Sequence, residues 1–95
     1  MTNASKEAYS SIVGELSEKR RRVLSAINEA QSYGATLFEL VDIMKKPINE
    51  ISGRVTELSR DGYIQEIGRR VNPRTHKEAS VWCVTIRGWN YLRQQ

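Results

Sequence analysis

The sequence predicts a mainly α-helical domain closed by one small β-hairpin: a three-helix core, two strands and a short C-terminal helix. Three observations predict it. Apolar residues recur at three- and four-residue steps in three successive segments bounded by capping residues, proline or glycine. After Gly62 that period stops, and two runs rich in β-branched and aromatic residues flank a polar, turn-forming span. The 95 residues suffice for one modest core.

Bulk properties narrow the function classes. Apolar residues at 39% and charged residues at 27% are ordinary for a globular domain. No apolar run approaches the roughly 20 residues of a membrane span. The first residues, Met1 to Glu7, lack an apolar stretch behind them, so no secretory signal is expected. The expected location is the cytoplasm, at the nucleoid or within a host cell. Cys83 is the single cysteine, so neither a disulfide nor a metal cluster is expected. Fifteen Lys and Arg against eleven Asp and Glu give a net charge of +4, which favours a polyanionic partner.

Residues 1–16 read as an N-terminal tail or short helix, and residues 17–95 as the folded domain. Tyr9, Ile12, Val13 and Leu16 fall at helical spacing, so 5–16 is either an amphipathic helix, weakened by Gly14, or a partly ordered tail. Ser17 is suited to cap a first helix over 18–31, with Glu18 at the positive end of its dipole. Val23, Leu24, Ile27 and Ala30 form its apolar stripe, and Gly34 is the expected left-handed stop.

Thr36 and Glu39 match a capping box that opens a second helix over 37–45, with Leu37, Leu40, Val41 and Met44 turned inward. Pro47 ends it and suits the start of a third helix over 48–60, in which Ile48, Ile51, Val55 and Leu58 face the core. Gly62 closes that helix. Residues 63–67 and 81–84 are the expected strands, with a bulge near Glu66 and a long basic tip over 68–80. Thr85 is placed to cap a final helix carrying Trp89, Tyr91 and Leu92.

The second helix, a tight turn and the third helix make a helix-turn-helix. A helix about 10–12 Å across fits a major groove about 12 Å wide. The run from Ala35-Thr36-Leu37-Phe38-Glu39-Leu40 through Ser52-Gly53-Arg54-Val55-Thr56-Glu57-Leu58 to Asp61-Gly62-Tyr63-Ile64 resembles the winged helix-turn-helix of bacterial and phage DNA-binding proteins. Leu58-Ser59-Arg60-Asp61-Gly62-Tyr63-Ile64 is similar to the end of the recognition helix in MarR-like regulators, and Val84-Thr85-Ile86-Arg87-Gly88 to the segment that follows their wing. Gly68 to Thr75, followed by Val81-Trp82, resembles the wing of small phage-type proteins. The resemblance covers roughly residues 20–92. It implies a two-stranded wing and a double-stranded DNA partner.

The candidate site follows from helical geometry. With the apolar stripe inward, a turn of about 100° per residue puts Asn49, Gly53, Thr56, Glu57 and Arg60 on the outer face of the third helix, flanked by Ser52 and Arg54. Asn suits an adenine edge, Arg a guanine, and Ser or Thr bases or phosphates. Gly53, costly by about 1 kcal/mol mid-helix, permits either close approach to DNA or helix packing. Glu50 and Glu57 sit away from phosphates, accept from cytosine, or oppose non-specific binding.

Lys45 and Lys46 in the turn, and Arg69, Arg70, Arg74, His76 and Lys77 in the hairpin, are the expected contacts to phosphates or the minor groove. Trp82 and Trp89 are expected in the core or at an interface.

The expected function is sequence-specific transcriptional regulation of bacterial or phage type, with helix 48–60 in the major groove and the wing 68–80 on the minor groove or phosphates. The alternative is a winged-helix protein-interaction module, such as a phage or host-directed inhibitor or an assembly factor. No nucleophile–base pair or phosphate-cradling glycine loop is present in the sequence, so neither an enzyme, nor a cofactor, nor a small-molecule ligand is expected. A homodimer is expected to use either the N-terminal segment or the C-terminal helix, since paired half-sites mirror a two-fold protein.

Overall fold

The computed structural model describes residues 16–94. The helix-or-tail expectation for 5–16 therefore falls, apart from Leu16, outside the described residues. The described chain runs α1 (Glu18–Glu29), a 3-10 turn (Gln31–Tyr33), α2 (Leu37–Met44), α3 (Ile48–Arg60), β1 (Ile64–Val71), β2 (Glu78–Val84) and α4 (Ile86–Arg93).

Local hydrogen bonds set most of these boundaries. Ser17 Oγ accepts from the Arg20 N–H at the head of α1. Thr36 and Glu39 close a complete capping box on α2, each side chain accepting from the other's backbone N–H. Thr85 Oγ1 accepts from Gly88 N–H and donates to the Gly62 carbonyl, joining the cap of α4 to the end of α3. At that end the N–H groups of Gly62 and Tyr63 donate to Ser59 and Leu58 carbonyls. This is a Schellman closure, with Gly62 at φ +86°.

Two helix ends differ from expectation. α1 stops at Glu29, not 31, because the Ala30 N–H tightens onto the Ile27 carbonyl and Gln31 turns to φ +53°. α2 ends at Met44 because Lys45 itself takes the left-handed conformation, ahead of Pro47. α3 runs over 48–60 as expected, with Pro47 as its N-cap.

α1, α2 and α3 pack around Leu24, Ile27, Leu40, Ile51 and Leu58, none more than 1% exposed. Burial of each such side chain contributes about 1.5–3 kcal/mol. Tyr63, Ile64 and Tyr91 extend this core beneath the hairpin and α4, the two tyrosine rings meeting edge to face at 5.9 Å. Leu37, Val41 and Met44 are only partly buried, so Leu40 alone carries α2 into the core. Ile48, expected inward, is 56% exposed: it is the first residue of α3, next to the Pro47 cap, and the buried stripe of the helix begins at Ile51.

The hairpin is longer than its apolar runs suggested. β1 and β2 pair antiparallel from Ile64↔Val84 out to Val71↔Glu78, leaving 72–77 as the tip. The register shifts between Glu66 and Gly68, so the bulge expected near Glu66 is present at Ile67. A further link escaped the sequence reading. Ala35 and Trp82 exchange both backbone hydrogen bonds, at 2.9 and 2.8 Å, and fasten the hairpin to the α1–α2 connection. Gly34 makes room for this at φ +76°; a Cβ there would lie 2.5 Å from Val81 Cγ1. Among the described residues no helix is long and apolar enough to cross a membrane.

Candidate nucleic-acid interface

Three residues, Lys45 to Pro47, separate α2 from α3, the short turn that presents α3 at the surface. Opposite the buried Ile51, Val55 and Leu58, the outer face of α3 carries Asn49, Ser52, Gly53, Thr56 and Arg60 in one stripe. Asn49, Thr56 and Arg60 are exposed, and Ser52 and Gly53 half-exposed. The stripe is uncharged until Arg60, whose Nε lies 3.6 Å from Asp61 Oδ1.

The two alternatives for Gly53 separate here. A Cβ at that position would meet nothing within 4 Å, so no neighbouring element of the domain requires the glycine. Its cost of about 1 kcal/mol in a helix interior is left without an internal return.

The glutamates are turned aside. Glu57 accepts from Arg54 through Nε at 2.8 Å and Nη2 at 3.1 Å, and from Arg20 of α1 through Nε at 2.7 Å. Hydrogen bonds from Arg54 and then Arg20 hold its carboxyl down at about 2, well below the usual glutamate range. The same pairing raises Arg54. Glu50 faces Lys19, 3.4 Å away. Both acids thus belong to the α1–α3 seam, and Arg54, grouped by sequence with the base-reading residues, belongs to that seam as well.

The hairpin cations divide into two sets. Arg69, Arg74, His76 and Lys77 are exposed. Their ion pairs are long: Arg69 lies 3.8 Å from Glu66 and 4.0 Å from Glu78, and Arg74 lies 3.8 Å from Asp42. Such pairs hold surface arginines weakly. The tip is stiffened from within, since Asn72 Oδ1 accepts from Arg74 N–H and the Asn72 carbonyl accepts from His76 N–H.

Arg70 behaves differently. Its Nη1 donates to both oxygens of Glu39 at 2.7 and 2.8 Å, its Nη2 donates to the Tyr33 carbonyl at 2.7 Å, and its guanidinium lies 3.8 Å from the Tyr33 ring centroid. No short-range pattern marked Tyr33 or Glu39 as its partners; Glu39 was legible only as a capping residue.

Lys45 and Lys46 are exposed at the head of α3, where no side chain caps the first turn. On the opposite flank, Cys83 is half-buried and its thiol donates to the Gln31 carbonyl at 3.3 Å. Trp82 packs at the core margin, whereas Trp89 is 46% exposed on α4 beside Ile86, which is 77% exposed.

No protein-family model and no curated protein matches the chain. Solved structures do. A mutant MarR from E. coli complexed with operator DNA is 19% identical, with a TM-score of 0.67 over 84% of this chain and 53% of that one. A mutant MepR from S. aureus bound to an oligodeoxyribonucleotide is 15% identical, with a TM-score of 0.68 over 94% of this chain and 62% of its own. A MarR-family transcription regulator is 21% identical, with a TM-score of 0.67 over 94% of this chain and 55% of its own. This chain therefore has the MarR-like winged helix-turn-helix fold and spans between about half and two-thirds of those chains.

Proposed function

We propose that this winged helix-turn-helix domain binds double-stranded DNA as a sequence-specific transcriptional regulator of bacterial or phage type, with α3 in the major groove and the wing on the minor groove or phosphates. The observation that carries the reading is the outer stripe of α3. Asn49, Ser52, Gly53 and Thr56 offer uncharged polar groups around one open backbone position, while Glu50 and Glu57 are neutralised against α1. A negative phosphate ladder tolerates such a face, and hydrogen-bonding side chains there can read base edges. Arg60, Lys45 and Lys46 frame it with positive charge, and Arg69, Arg74, His76 and Lys77 supply the wing's contacts. The DNA complexes among the solved neighbours support the same reading.

A second copy completes the site in this reading, because reading a two-fold operator takes two half-sites about one helical turn apart. Ile86 and Trp89, one helical turn apart on α4, leave apolar surface exposed and are the proposed seam. Tyr91 is in the core, and Leu92 is partly buried against it.

Electrophoretic retardation of random duplex DNA tests the electrostatic half. Retardation is expected at about 50 mM salt and micromolar protein, with log affinity falling against log salt at a slope near −4 to −5 for about five neutralised phosphates. No retardation under those conditions overturns the reading and favours the protein-docking alternative. Selection from a random DNA pool then reads the sequence preference.

A further inference from the structure

We infer that Arg70 is a positioning residue that sets the angle at which the wing leaves the three-helix core, rather than one of the cations that meet DNA. The inference rests on the DNA-binding reading above.

The wing begins at the core but does not stay on it. At the Ile67 bulge the ladder shifts register and the hairpin bends. One residue later, at Gly68, a Cβ would meet nothing within 4 Å, so this face of β1 is open. Its ladder partner Val81, buried against Gly34, is the last hairpin residue of β2 held in the core before the arm runs out to the tip. Two residues further on, Arg70 returns to the body. It spans 31 residues to Glu39 in the first turn of α2 and 37 to the Tyr33 carbonyl in the 3-10 turn.

Two edges and one face of the guanidinium are engaged: one nitrogen on the carboxylate, one on the carbonyl, and the plane over the ring. Charge-assisted bonds of this length are among the stronger polar contacts, and a planar arginine stacks where lysine cannot. The Arg70 side chain is 23% exposed, against 80% for Arg74, whose pairing with Asp42 is 3.8 Å long. Solvent screening therefore weakens the Arg70 tie far less than the Arg74 pair. A phosphate would have to displace a carboxylate, a carbonyl and an aromatic face to claim Arg70.

The tie sits one ladder pair short of the tip, since Arg70 faces Ala79 and only Val71↔Glu78 lies beyond. It fixes the distal arm where leverage over 72–77 is greatest. A wing held at one angle reaches DNA in the same event as α3, whereas a swinging wing must be ordered on binding at a cost in affinity.

The test compares wild type, Arg70→Ala, Arg70→Lys and Glu39→Gln by retardation across a salt series and by amide hydrogen exchange without DNA. Glu39→Gln keeps the capping box, which accepts glutamine, and removes the ionic half of the tie. The expected result is a loss of affinity of about tenfold in all three variants, with the salt slope unchanged. Faster exchange is expected at residues 69–71 and 78–80, with the helical core unaltered.

A slope reduced by about 0.9 in Arg70→Ala marks a direct phosphate contact and overturns the inference. So does tighter binding by Glu39→Gln, full rescue by lysine, or unchanged affinity throughout. If wild type itself fails to retard DNA, the functional reading fails and the exchange data decide the tie alone: unaltered wing protection in Arg70→Ala and Glu39→Gln overturns it.

Discussion

Arg20 of α1 and Glu57 of α3, 37 residues apart in sequence, meet with Nε 2.7 Å from Oε1. Arg54 grips the same carboxylate from one turn away on α3. The contact pins α3 to α1 and pairs the negative charge that would otherwise stand beside the outer face of α3. Depressed to about 2, the Glu57 carboxyl binds fewer protons folded than unfolded.

The sign of its pH dependence follows. With an ordinary glutamate value of about 4.3 in the unfolded chain, the stabilisation is fully present above about pH 5 and is lost as pH falls towards 2. Glu57→Gln is expected to melt below wild type at pH 7, with the gap closing on acidification. Circular-dichroism melts at pH 7, 4 and 2.5 check this, and a gap constant across that range contradicts the pairing.

Gly53→Ala separates stability from function. Nothing surrounds the site, so alanine is expected to stabilise α3 by about 0.5–1 kcal/mol through helix propensity, read as a higher urea midpoint. DNA affinity is expected to fall in the same variant if the proposed docking of α3 holds, because the added methyl stands on the outer face of the helix. A variant both more stable and equally tight in binding removes the close-approach role.

Gly88→Ala is expected to do the opposite to stability. A Cβ there would run into the Tyr63 carbonyl and crowd Val84 and Leu24, forcing α4 off the core. A loss of about 2–3 kcal/mol is expected in denaturant titration. Gly53→Ala serves as the matched control, being the same substitution in a helix with open space around it.

In the proposed DNA-binding mode, the exposed wing cations carry the salt dependence. Arg69→Ala, Arg74→Ala and Lys77→Ala are each expected to reduce the salt slope of DNA binding by about 0.9 and to leave the melting temperature near wild type. The combined variant checks additivity. A slope indifferent to all three moves the phosphate contacts elsewhere.

Particular residues show where sequence reasoning reached and where it stopped. The α3 range, the capping box of Thr36 and Glu39, the Thr85 cap and the bulge were legible, since each rests on contacts within a few residues or on a local break in period. The outer stripe was legible because helical geometry converts spacing into a face. The paired length of the wing was not: Gly68 to Val71 carry no strand signal, and they are strand only because 78–81 lie opposite.

By itself the sequence determined three helices to within a residue or two at their ends, most of the apolar stripe that joins them, and a basic hairpin after them. Local hydrogen bonding and the helical period act through neighbours that the chain order already specifies. Tertiary structure alone decided which charges remain available. It folded Glu57 and Arg54 into the α1 seam, returned Arg70 to Glu39 and Tyr33, and left Asn49, Gly53, Thr56 and Arg60 facing outward. An ion pair spanning 31 or 37 residues depends on where two elements come to rest, and no spacing along the chain encodes that distance.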